Sequence, residues 1–236
     1  MVVRSFSLSG GGAAFQRLCI AAASALWIAV LLLMNADGAR AAATCTGAPE
    51  TDVRIRLQIP DVDLIHEKSS GEITQIAGQS KKRFLENDTR LNGFAEFRMQ
   101  TGHQVSVRQL RPGGPCYYLE DLDIWITVQE LRIHIASELP PGSCLYRVTL
   151  AHERKHIDIY RESVGQLRDE FRAAIHDGTV LRPISAGDVN AALRRYSTAV
   201  GTLLSDLRNR NAQRMTRRNA VLDTPAAYRA EYAQCP

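Results

Sequence analysis

The chain has no large excess of charge of either sign: 29 Lys and Arg stand against 25 Asp and Glu, a formal net charge of +4. Setting aside Arg4, Arg17, Arg40 and Asp37, all within the first 43 residues, leaves 26 basic and 24 acidic side chains. That balance argues against a dedicated nucleic-acid binder, which concentrates positive charge. Internal repeats and low-complexity segments are missing after residue 43, which excludes solenoid and linker architectures. The roughly 190 residues that remain suffice for one domain with its own core. Cysteine is scarce, five in all. Proline and strand-like alternation are both absent between Ser143 and Gly178, which excludes a sheet there and points to one long helix.

The first 43 residues read as a signal peptide rather than as part of the fold. Arg4 and Arg17 precede an apolar run from Leu18 to Met34, and small residues follow in "NADGARAAATC". A basic segment, an apolar segment and an A-x-A-like site are the parts of an exported leader, with cleavage after Ala41 or Ala43. The alternative is an uncleaved N-terminal helix that anchors the protein in the membrane. Export implies a periplasmic or secreted protein. It makes the four remaining cysteines, Cys45, Cys116, Cys144 and Cys235, candidates for two disulfides.

Residues 44–236 then divide by period into one α+β domain. "VRIRLQI" (53–59) alternates strictly, as a half-buried strand does. Further strands are expected near 94–99, 102–110, 116–128 and 130–138, with turn material in "QTGH", "RPGGP" and "PPGS". Connections this short predict an antiparallel sheet, with 116–128 and 130–138 forming a hairpin. Residues 67–92 are polar and give no clear element, and their "NDT" (87–89) matches a glycosylation acceptor. Ser143 is a plausible N-cap and Gly178 a stop for the first long helix. Asp188 can cap a second, over about 189–217, and Pro225 can start a short third. Strands first and helices after is the α+β order.

The motif of the first helix is "HERKH", His152 to His156. On a helical wheel both histidines fall inside the apolar stripe formed by Leu145, Val148, Ile159, Tyr160, Leu167 and Phe171, with Glu153 at its margin. Histidines one turn apart can aim ring nitrogens at one ion, and a neighbouring Glu can reach a water on that ion. The two middle positions, normally uncharged in metalloproteases, are Arg154 and Lys155 and lie on the polar side. Two buried histidines on one stripe are costly without polar partners.

The stretch "DIWITVQELRIHIASELPPGSCLYRVTLAHERKHIDIYRE" resembles an uncharacterised family of predicted secreted bacterial zinc-dependent proteases, through paired strands, a "PGSC-x-Y" approach to the helix and H-E-x-x-H. The resemblance covers about 90–175 and, weakly, "LDTPAAY". It implies a zincin-like domain with His152 and His156 as Zn2+ ligands and Glu153 as catalyst, and it supplies no substrate.

A catalytic zinc usually takes three protein ligands. No third His follows at the spacing H-E-x-x-H-x-x-G-x-x-H, so the third ligand must come from elsewhere. Asp223 ranks first, just before a Pro-started helix, where the competing roles are an N-cap or a turn residue. Asp206 and Glu231 are the alternatives. Asp206 follows from packing the two long helices antiparallel about the 178–187 loop, which sets residues near 206–212 beside the motif. Of the other histidines, His134 shares a strand face with Arg132, His176 sits at a helix C-terminus, and His66 and His103 are expected in loops or at strand ends. The basic run "RNRNAQRMTRR" (208–218) reads as a solvated helix end, or alternatively as a patch for anionic phospholipid head groups.

Two functions follow. The first is an exported zinc-dependent metallopeptidase acting on a peptide or protein of the cell envelope, held against a strand such as 130–138. The second is a non-catalytic periplasmic or envelope binding protein whose zinc site is structural or vestigial. Apolar burial of Glu153 favours the second. The expected disulfides are Cys116–Cys144, brought together by the hairpin, and Cys45–Cys235, near the two chain ends.

Overall fold

The structure, a computed structural model, describes residues 45–80, 91–177 and 179–235. The leader expected over 1–43, Asn87 of the glycosylation pattern and the helix stop at Gly178 lie outside those residues. The order of elements is β1 (Asp52–Gln58), β2 (Asp63–Ile65), α1 (Ser70–Ser80), β3 (Gly93–Gln109), β4 (Cys116–Ile135), α2 (Cys144–Asp177), β5 (Ile184–Ser185), α3 (Val189–Leu222) and α4 (Pro225–Tyr232). The α+β class holds. Among the described residues no helix is long and apolar enough to cross a membrane.

The sheet departs from the antiparallel one expected. β1 and β2 both run parallel to β4, pairing Asp52 with Asp121 and Asp63 with Arg132. β3 and β5 pair with β4 in the antiparallel sense. The reasoning from short connections fails because β1 does not pair with its sequence neighbour. The chain from 59 to 115, with α1 and β3, is ample for a parallel crossover. β1 and β2 lie end to end along one side of β4, and Pro60 stands in the gap, where a missing N–H would break a ladder.

β3 and β4 are each one long strand, of 17 and 20 residues, where shorter strands and turns at "QTGH" and 128–130 were expected. The inward residues of β4 explain the misreading. Leu119, then Leu122, Ile124, Ile126 and Val128, then Leu131, Ile133 and Ile135 are all buried. The alternation slips by one residue twice, at Glu120 and at Gln129. At both places the register with β3 shifts, between Ser106 and Val107 and between Arg98 and Met99. These are β-bulges, which bend a strand and restore its apolar face to the core without a turn. No hairpin forms at 128–130, and the proposed peptide-holding strand 130–138 is instead internal, paired to β3 on one side and to β2 at 132–134.

The helices follow local rules. Gly142, at φ +80°, turns the "PPGS" segment, and the Ser143 hydroxyl accepts from the Tyr146 N–H at 3.2 Å. Asp188 caps α3 by accepting from Ala191 at 2.7 Å, and Thr224 caps α4, with Pro225 at its start. A signal went unread in the polar stretch: Ser69 and Glu72 form a reciprocal capping box at the start of α1. α2 and α3 run antiparallel and bury Val164, Leu167, Phe171, Tyr196, Val200 and Leu204 with the inward face of β4 in one core.

The disulfides also differ from those expected: they join Cys45 to Cys116 and Cys144 to Cys235. With no hairpin, Cys116 and Cys144 lie at opposite ends of β4, a strand about 60 Å long at ~3.3 Å per residue. Parallel pairing of β1 returns residue 45 to the start of β4 instead, and α4 carries Cys235 to the first turn of α2.

Candidate metal centre

His152 and His156 project from α2 one turn apart, both 3% exposed. Across the seam, Asn219 and Asp223 project one turn apart from the end of α3, and Asp223 is that helix's C-cap. Three atoms converge between the helices. Nε2 of His152 and Nε2 of His156 are 3.1 Å apart, and Oδ1 of Asp223 lies 3.4 Å from the first and 3.0 Å from the second.

The surroundings decide where the protons are. Nδ1 of His152 faces the Glu231 carboxylate at 2.8 Å, so it carries the hydrogen and donates. Nδ1 of His156 faces Oδ1 of Asn219 at 2.5 Å, and the Asn219 amide nitrogen is oriented by donating to the Met215 carbonyl. This assignment follows from the hydrogen-bond network. Each ring then turns an Nε2 lone pair toward the other and toward a carboxylate oxygen. Three acceptors this close require a cation or an added proton between them. Two metal–nitrogen bonds of ~2.0–2.1 Å at a tetrahedral angle place ligand atoms ~3.3 Å apart, close to the separations seen. The His152, His156 and Asp223 cluster can therefore hold a metal ion.

The carboxylates also act on protonation. Burial works against a charged His152, but the bond to Asp223 and the charges of Glu153 and Glu231 outweigh it and raise its pKa. Burial likewise opposes the Glu231 charge, and the Lys155 and His152 contacts overcome it and lower its pKa. Lys155 Nζ sits 2.7 Å from Glu231. The unusual cation inside the motif therefore fixes the carboxylate that orients the first histidine.

Glu153 is 5% exposed, buried rather than marginal. Its neighbour is Gly93 at the start of β3, where an added Cβ would lie 2.8 Å from Oε1 and 2.9 Å from Cγ. Only glycine allows β3 to approach so closely. Tyr160, Tyr228 and Tyr232 surround the centre, each with its pKa raised, first by burial and then by nearby carboxylates. Tyr228 donates to Oδ1 of Asp223 at 2.9 Å, and its ring lies 4.8 Å from that of His152.

Of the candidate third ligands, the structure brings only Asp223 to both Nε2 atoms, and Thr224 rather than Asp223 takes the N-cap role. Glu231 reaches the centre but meets the ring nitrogen turned away from the cluster. Asp206 is exposed elsewhere on α3. The antiparallel packing is as expected, but its register is not. α3 starts at 189 as expected, but it is displaced along α2, with Arg214 opposite Glu170 and Arg218 opposite Glu162, so residues 219–223, not 206–212, meet the motif. Asn219 and Tyr228 had no role in the sequence reading. The four-residue spacing of Asn219 and Asp223, matching that of the histidines, is the signal that could have found the first.

The other histidines sit apart from the centre. His103 lies within β3 against Ser197, not at a strand end, and His134 is buried against Glu96 at 3.2 Å. The basic run is more than a solvated helix end, since Arg214 and Arg218 pair across the seam with Glu170 and Glu162. No family model matches the chain, and comparison with curated proteins and with solved structures finds no match either.

Proposed function

We propose that the protein is an exported, zincin-like metallopeptidase that takes Zn2+ at His152, His156 and Asp223 and cleaves peptide bonds in proteins of the cell envelope. The observation that carries this reading is the convergence of two imidazole lone pairs and one carboxylate oxygen beside a buried glutamate. A donor set of two nitrogens and one oxygen suits zinc better than magnesium or calcium, which favour all-oxygen shells. Three protein ligands would leave a position open for water or substrate. Zinc bound there would acidify a water toward pKa ~7 and polarise a carbonyl. Glu153 would be the group to accept a proton from that water and pass it to the leaving amine. Glu231 and Asn219 hold the two rings in the tautomer that exposes Nε2. The two disulfides suit an oxidising compartment.

A second reading has an observation in its favour: Glu153 is buried against Gly93, as in a structural metal site of a non-catalytic envelope protein. Zinc content and peptide hydrolysis decide between them. Purified wild type is expected to hold about one zinc per chain, lost in His152→Ala and His156→Ala. Glu153→Gln is expected to keep its zinc and lose hydrolysis of a quenched peptide library. Equal zinc in wild type and both alanine variants removes the metal site. Zinc binding with no hydrolysis in wild type leaves the second reading.

A further inference from the structure

The two carboxylates that face the histidine ring nitrogens, Asp223 and Glu231, do not come from α2. They come from residues 223–235, the C-cap of α3 and the short helix α4 that follows it. α4 buries no residue of its own, whereas α3 buries Tyr196, Val200, Leu204 and Leu207. α4 is held over the histidines by polar contacts, the half-buried Tyr228 ring against His152 and one bond. Glu231 touches His152 and Lys155, the hydroxyl of Tyr232 lies 3.4 Å from the Asn92 amide, and Cys235 is joined to Cys144 at the first turn of α2. These few contacts work against the entropy of a free chain end. An element whose apolar side chains are only half-buried belongs to the less stable part of a fold. The bond closes a separation of 91 residues and ends only three residues after Tyr232. The other disulfide, Cys45–Cys116, ties the chain before β1 to the opposite end of β4.

We infer that Cys144–Cys235 is a redox latch on the metal centre. Oxidised, it keeps Glu231 on Nδ1 of His152 and Tyr228 on Asp223, so the Nε2 lone pair of His152 stays aimed at the ion. A dithiol reductant that reaches the half-buried sulfurs breaks the S–S bond. Two electrons and two protons pass to Cys144 and Cys235, giving two thiols, and the reductant leaves as its own disulfide. Residues 224–235 then detach, while Asp223 stays at the end of α3. The centre keeps three ligands but loses the partner that orients His152, a loss worth about 10–100-fold in metal affinity. Metal binding is thereby tied to the oxidising compartment in which the bond persists. This inference rests on the metal reading above and adds the control of that site.

The test uses zinc alone as ligand and serine variants, so that freed thiols do not capture the probe. Zinc affinity is measured by chelator competition for wild type, Cys144→Ser/Cys235→Ser and Cys45→Ser/Cys116→Ser, with amide hydrogen exchange on each. The Cys144/Cys235 variant is expected to bind about 10–100-fold more weakly and to exchange faster only in residues 224–235. The Cys45/Cys116 variant is expected to match wild type in zinc affinity. Wild-type affinity in the Cys144/Cys235 variant overturns the latch and leaves the metal site standing. Faster exchange throughout the Cys144/Cys235 variant also overturns it, because the bond then staples the whole fold. No zinc binding by wild type removes the metal reading, and the latch with it.

Discussion

The seam between α2 and α3 has two ends that are equally buried and opposite in composition. At one end Val164, Leu167, Phe171 and Ile175 meet Tyr196, Val200 and Leu204, none more than 4% exposed. At the other, His152, Glu153, His156 and Ser163 meet Asn211 and Asn219, none more than 7% exposed. An apolar end needs no explanation beyond the hydrophobic effect, which stabilises the fold by roughly 1.5–3 kcal/mol per large side chain buried. The polar end gains little of that and demands a partner for every group. Asn211 meets this demand structurally, donating to the Ser163 carbonyl at 2.8 Å. The histidines meet it only in part: their Nδ1 atoms are bonded, while their Nε2 atoms face one another and a carboxylate. One end of the seam serves stability, and the other keeps an unmet demand that a cation can fill.

The largest expected effect falls on the apolar end. Phe171→Ala should cost about 3–5 kcal/mol of stability in denaturant titration, with zinc affinity changed by less than threefold in the folded protein. A comparable loss of zinc affinity would break the division between the ends. Next comes Asn219→Ala, which frees the His156 ring and should weaken zinc binding about 10–100-fold in a chelator assay, with a smaller loss of stability. The same affinity in both proteins would show that Asn219 does not orient the ring.

A smaller effect is expected from pH. The folded pKa of His152 is raised above its usual 6.5, so the metal-free fold gains stability that is full below 6.5 and is lost as pH rises through the raised value. Zinc must displace that same proton, so its affinity should rise about tenfold per pH unit across the same window and then level off. Metal-free stability and zinc affinity should therefore change in opposite directions with pH. Parallel trends would place the proton elsewhere. The smallest effect belongs to Asn211→Ala, which should cost about 1–2 kcal/mol by thermal melting and leave zinc binding unchanged. A loss of zinc there would extend the metal centre further along the seam than the structure places it.

Much of the architecture and part of the centre could be read from residues alone, for local reasons. Ser143, Asp188 and Pro225 mark helix starts, because capping and the fixed φ of proline act within one turn. The spacing of His152 and His156 sets their common direction, because 3.6 residues make a turn. Conversely, the bulge at Gln129 looked like a strand end, because a one-residue slip in alternation is the same in sequence whether the chain turns or bulges.

By itself the sequence determined what depends on neighbours along the chain: the long helices, their starts, and two histidines with a glutamate on one buried stripe. Only the tertiary structure decided what depends on residues far apart. It made β1 and β2 parallel to β4, paired Cys144 with Cys235, and moved the α2–α3 register so that Asp223, not Asp206, meets the histidines. It also buried Glu153 against Gly93. The physical reason is that such contacts are chosen by the whole core at once. Two bulges in β4 and the displacement of α3 along α2 set partners dozens of positions apart, and no local preference records that choice.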